Sequence, residues 1–110
     1  MLEKIYTLDS YSEKSIKKVI DDDNIGLNHM VLPKGESLPK HFSNSNVYMI
    51  IIKGTMTIQL DDQEAHEYNV GQIINIPYHT KMDVTNAHDP ILVFLVVKSP
   101  NPRDYVKKKQ

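Results

Sequence analysis

The two runs VYMIII (47–52) and TMTIQL (55–60), joined only by Lys53-Gly54, constrain this chain more than any other stretch. A two-residue connection between β-rich runs makes a tight antiparallel hairpin, and glycine supplies the left-handed backbone that such a turn requires. The same punctuation recurs on both sides. Pro33-Lys34-Gly35 breaks the chain before His41, Gly71 precedes QIINI, Pro77 ends that run and KMDVTN resumes it. Glycine and proline at these places mark the ends of short strands and leave little room for helices between them. Further strands are predicted at about 25–32, 38–42 and 65–68 and over ILVFLVVK, which begins at Ile91, with EKIYTL (3–8) as a first edge strand. One helix is expected. SEKSIKKVIDD places Ile16, Val19 and Ile20 at i, i+3 and i+4, with Ser12 as its cap, which predicts an amphipathic helix over roughly 12–21. Asp21-Asp22-Asp23 lack the alternating ligands of a calcium loop and read as a solvated turn.

Gly35, His41, Gly54, Gly71, Pro77 and Asn86 fall in register with the two sequence motifs of the cupin superfamily, and the stretch NHMVLPKGESLPKHFSNSNVYMIIIKG resembles small single-domain cupins of bacteria and archaea. The resemblance covers about residues 25–98. It implies an all-β fold, a cupin-type antiparallel jelly-roll β-barrel, here with the short N-terminal helix, and a homodimer. The whole chain, 1–110, is then one domain: strand and helix in 1–24, barrel in 25–98, tail in 99–110. In that family two His and a Glu of the first motif and a His of the second hold a metal. By position these fall on His41, Ser43, Val47 and Met82, so one ligand of four is kept.

Side chains alternate along a strand, so placing His41 inward also places Ser43, Val47, Met49 and Ile51 inward. The same parity, continued through the alignment, gives a pocket lined by Leu27, His29, His41, Ser43, Met49, Met82, Phe94 and Val96. Tyr48, Ile50, Ile52, Val93, Leu95 and Val97 then face outward although they are equally apolar. Strands apolar on both faces are covered on both faces, and a second copy of the chain is the economical cover.

Composition narrows the function. Thirteen Lys and Arg against fourteen Asp and Glu give a net charge of −1. This offers no field for a phosphate backbone, and two Phe with no Trp give few stacking platforms, which argues against nucleic acid. The longest apolar runs, VYMIII and ILVFLVV, are far shorter than a bilayer span, and the absence of cysteine fits a reducing compartment, so the expected location is cytoplasmic.

Three functional readings stay open. The first is a small-molecule-binding cupin with a lapsed metal site, no cofactor and no assigned reaction, in which His29 and His41 orient the ligand. The second is a metal-dependent oxygenase or isomerase that holds a divalent ion through His29, His41 and His79. The third is a dimeric structural or interaction module whose barrel is filled by Met49, Met82 and Phe94.

Overall fold

A computed structural model of the protein describes residues 1–9 and 13–103. A tight turn forms at Lys53-Gly54 between β4 (Val47–Lys53) and β5 (Thr55–Leu60), with Gly54 at φ 90°, but the hairpin expected there does not, because the two strands do not pair with each other. Its two strands belong to different sheets, so this turn is the corner that folds one sheet over the other. The remaining strands are β1 (Ser15–Asp21), β2 (Gly26–Pro33), β3 (His41–Phe42), β6 (His66–Asn69), β7 (Ile73–Ile76), β8 (Lys81–Thr85) and β9 (Ile91–Lys98). One sheet has the order β1-β2-β9-β4-β7 and the other β3-β8-β5-β6. The strand pairs within both sheets are antiparallel.

The register tells which face of each strand meets the core. Met30 stands opposite Phe94, Phe94 opposite Ile51, Met49 opposite Val96 and Val47 opposite Ile76. Those residues interdigitate with Met56, Ile58, Met82 and Val84 of the other sheet in one buried hydrophobic cluster. Period-two alternation does the sorting: residues of one parity enter the core and their neighbours leave it. Asn86 is fully buried beside this core and holds the loop after β8. Its amide donates to the carbonyls of Leu32 (2.8 Å) and Asp89 (2.9 Å), while its side-chain oxygen accepts from the Asp89 N–H (3.1 Å).

Two expectations at the N-terminus are corrected. The helix expected over 12–21 is strand β1, paired with β2 from Ser15 opposite Val31 to Asp21 opposite Gly26. The register shifts between Lys18 and Ile20, leaving Val19 as an extra residue. A bulged strand breaks its own alternation at that point and so reproduces the i, i+3, i+4 spacing of Ile16, Val19 and Ile20. All three are β-branched, which favours the pleated conformation once a partner strand is available. Residues 3–8 form no strand. Their apolar side chains remain exposed, so no buried face selects a register. The segment is tied instead by Asp9, which pairs with Lys17 of β1. The cap proposed at Ser12 and the basic run Lys107–Lys109 lie outside the described residues.

Candidate functional site

The four positions that would hold a metal in the first and second motifs do not form a donor set. His41, at the start of β3, stands opposite Met82 of β8 and is exposed at the barrel mouth, with its Nδ1 2.7 Å from the Pro39 carbonyl. Ser43 is 2% exposed and fully engaged. Its hydroxyl donates to the Pro77 carbonyl (2.5 Å) and accepts from the Thr80 N–H (2.8 Å), and its backbone carbonyl accepts from the His79 N–H (2.9 Å). Ser43 therefore fastens the first motif to the second. Val47 and Met82 belong to the hydrophobic cluster. One imidazole, a committed hydroxyl, an isopropyl group and a buried thioether do not fit the nitrogen and oxygen sites that divalent metals take in barrels of this kind.

The alternative ligand set of His29, His41 and His79 is also corrected, because the three lie on different surfaces. His29 stands opposite Leu95 and Lys17, on the side of β2 that turns away from Met30 and Leu32. It is buried on the outer face of the five-stranded sheet, and Leu27, two residues away, shares that face. The expectation that Leu27 and His29 line the barrel fails by one residue of parity: in β2 the inward residues are Asn28, Met30 and Leu32. His79 sits in the turn after Pro77 at φ 63°, where the family motif carries glycine, and stacks on Phe42 with ring centroids 4.7 Å apart. Phe42 alternates with His41 and so faces outward. Among the described residues no group of three or more His, Cys, Asp or Glu side chains could hold a metal ion.

Met49, Met82, Phe94 and Val96, expected to line a pocket, are inward but at most 3% exposed, and they pack against one another's cluster. The interior beside the motifs is closed by hydrocarbon. The opening lies at its rim. A cleft of about 230 Å³ is lined by Lys18, Asn28, Lys98, Asn44, Asp21 and Arg103, among others. Lys98 ends β9 directly opposite Val47, the position at which the family motif has its Glu, and Gly26 faces it from β2. A Cβ on Gly26 would lie 3.8 Å from the Lys98 Cβ, so the glycine leaves the cleft floor open. Asn44 follows His41 by three residues. Ser45, in the same loop, donates to the Pro100 carbonyl (2.5 Å) and brings the loop against the end of β9.

The sequence carries a signal for this site at Lys98. Once Phe94 and Val96 are inward, Lys98 is inward too, and a lysine at an inward position demands a partner or a solvent-filled opening. Asn28 was missed because β2 was read in the opposite phase. Burial, and then the positive charge of Lys18, hold the Lys98 ammonium below the usual lysine range.

The comparisons agree with this architecture. An uncharacterized protein of Methanocaldococcus jannaschii is 45% identical over 104 residues, which cover 94% of this chain and 90% of that one. A crystal structure of an RmlC-like cupin family protein with a double-stranded β-helix fold, also from Methanocaldococcus jannaschii, matches with a TM-score of 0.89 at 45% identity over 94% of this chain and 96% of that chain. A conserved protein of unknown function from Streptococcus pyogenes shares the fold alone, with a TM-score of 0.71 at 20% identity over 89% and 90% of the two chains. The family model described as Cupin domain matches residues 28–98, which take in both motifs and eight of the nine strands, from within β2 to the end of β9. By its strand order, its paired motifs and these matches, the chain belongs to the cupin family.

Proposed function

We propose that this cupin is a metal-independent binding protein that takes a small molecule in the rim cleft, above a barrel whose interior is structural. The observation that carries the reading is the cleft lined by Lys98, Lys18, Asn28 and Asn44, with Val47, opposite Lys98, closed into the hydrophobic cluster. Clefts of this kind, concave and set with a few convergent polar groups at a barrel mouth, are where barrels of this size hold ligands. His41 stays at the rim as an exposed hydrogen-bonding group, and His29 has no part in it. The reading assigns no reaction. Native mass spectrometry and elemental analysis of untagged protein test it: an adduct or exchangeable small molecule without stoichiometric metal is expected. Stoichiometric metal that is lost on His41→Ala would overturn it.

A second copy of the chain is inferred on the outer face of the five-stranded sheet. Tyr48 stands opposite Val97, and Ile50 opposite both Leu95 and Ile73, so these five side chains form one apolar surface. Ile73 is 64% exposed and Tyr48 39% exposed, and Ile50, Leu95 and Val97 are only half-buried. With Ile52 beside them on β4, they leave on the order of a few hundred Å² of hydrocarbon in water, part of the roughly 800 Å² per partner that a stable interface covers. Two antiparallel sheets stacked through such faces bury it in the manner of a β-sandwich. Sedimentation at micromolar concentration tests this, with a dimer as the expected species.

A further inference from the structure

We propose that the rim cleft is a site for a small oxyanion, a carboxylate or phosphate group carried on a body of only a few further atoms. The inference rests on the cleft being where this protein takes its ligand, and it names the chemistry of that ligand.

Charge accounting comes first. Four ionised side chains line the cleft: Lys18, Lys98, Arg103 and Asp21. Asp21 is already engaged, since its Oδ1 accepts from Arg103 Nη1 at 3.1 Å and from Asn101 Nδ2 at 2.7 Å. Arg103 also reaches Asp23 at 3.2 Å. Among the described residues no carboxylate forms an ion pair with Lys18 or Lys98. The cleft therefore presents two uncompensated ammonium groups, in a chain whose overall net charge is −1.

Placement comes second. Lys18 stands opposite Asn28 in the β1–β2 pair, and Asn28 stands opposite Val96 in the β2–β9 pair. Lys98, two residues beyond Val96, is on the same face. Two strands thus project their lysines to one side of the sheet, with the carboxamides of Asn28 and Asn44 beside them as further donors. A half-buried lysine, Lys98, beside the exposed Lys18 is unfavourable unless something negative joins them. An oxyanion removes the repulsion and gains charge-assisted hydrogen bonds from both lysines.

Size comes third. The cleft's 230 Å³ equals roughly eight water volumes, which accommodates an anionic head with a few carbon or oxygen atoms.

The test is calorimetric titration of the full chain with inorganic phosphate and with succinate, set against chloride at matched ionic strength and xylitol as a neutral molecule of similar size. Binding of phosphate or succinate, but not chloride, is expected, and whichever is tighter identifies the head group. Lys98→Gln and Lys18→Gln are each expected to weaken it about tenfold or more, the loss of one hydrogen bond to a charged group. Lys18 is exposed, so its variant keeps the test valid if Lys98→Gln folds poorly. Oxyanion binding that both variants retain, or that chloride reproduces, would overturn the proposal. Binding of xylitol alone, indifferent to both lysines, overturns the oxyanion while leaving a ligand in the rim cleft. Absence of binding by phosphate, succinate and xylitol alike overturns the oxyanion, and with no co-purified molecule in the mass spectrum it overturns the rim-cleft reading as well.

Discussion

The side-chain amide of Asn86 donates to the backbone carbonyl of Leu32 at 2.8 Å, joining the loop after β8 to the inner strand β2 across 54 positions of sequence. Asn86 keeps its place in the second motif for this reason, which is structural. It is fully buried, and the same side chain bonds Asp89 twice. Asn86→Leu removes these bonds and leaves buried carbonyls and an N–H without partners. A loss of about 2–4 kcal/mol is expected, read as a lowered midpoint in urea at fixed protein concentration.

Two glycines with nearly the same backbone carry different constraints. Gly35 and Gly54 have φ of 85° and 90°, but nothing lies within 4 Å of a Cβ built on Gly35, whereas one on Gly54 meets the Ile91 carbonyl oxygen at 2.7 Å. Gly35→Ala is expected to cost only the backbone term of about 1–2 kcal/mol. Gly54→Ala adds a backbone clash at the corner between the sheets, so the larger drop in thermal midpoint belongs to it. Equal drops would mean that the Gly54 corner relaxes freely.

At the former metal positions the order of importance is the reverse of what a metal site would give. His41 is exposed and makes one hydrogen bond to Pro39, while Ser43 is buried and joins the two motifs through Pro77 and Thr80. His41→Ala is expected to change stability by no more than about 0.5 kcal/mol, and Ser43→Ala to cost about 1–3 kcal/mol. Paired chemical denaturation curves of the two variants check the order.

Much of this fold was legible because its turns announce themselves. Lys53-Gly54, Gly71 and Pro77 stand where strands end, and parity placed Met49, Phe94 and Val96 in the core and Tyr48, Ile50, Leu95 and Val97 outside it. The failures share one cause. A single extra residue reverses every side chain that follows, so the bulge at Val19 disguised β1 as a helix, and the phase of β2, which no motif residue fixes, was taken one residue out. That single slip put His29 in the barrel and hid Asn28. The rim cleft is built from β1, β2, the loop after β3 and the end of β9. Such a site is set by long-range register and cannot be read from local spacing.

The apolar outer face leads to a prediction about assembly. Ile73 is 64% exposed on β7, beside Ile50, with no role in the core. Ile73→Asp is expected to shift the sedimentation profile from dimer to monomer while leaving the thermal midpoint of the isolated barrel nearly unchanged, because an exposed edge residue contributes little to the fold itself. A dimer that survives both this change and Tyr48→Asp would show that copies meet elsewhere.

Lys98 makes stability depend on alkaline pH in a definite direction. Its folded pKa is depressed, first by burial and then by Lys18, while in the unfolded chain it returns to about 10.4. The groups around it are Lys18 and Asp21 of β1 and Arg103 after β9, and β4 contributes the apolar Val47. Below the folded pKa both states are protonated, and the fold carries the full cost of the partly buried charge. Between the two values the folded protein has released the proton that the unfolded chain still binds, so this group's contribution to stability rises with pH across that window. Lys98→Met removes the cost at neutral pH and removes the slope with it. The difference in thermal midpoint between variant and wild type, followed upward from about pH 7, is therefore expected to be largest at neutrality and to shrink as pH rises. Phosphate or succinate in the cleft reverses the sense of the effect, because an anion beside Lys98 favours the charged form. With ligand present the wild type is expected to lose its advantage as pH rises, and a profile unaltered by either anion would separate Lys98 from ligand binding.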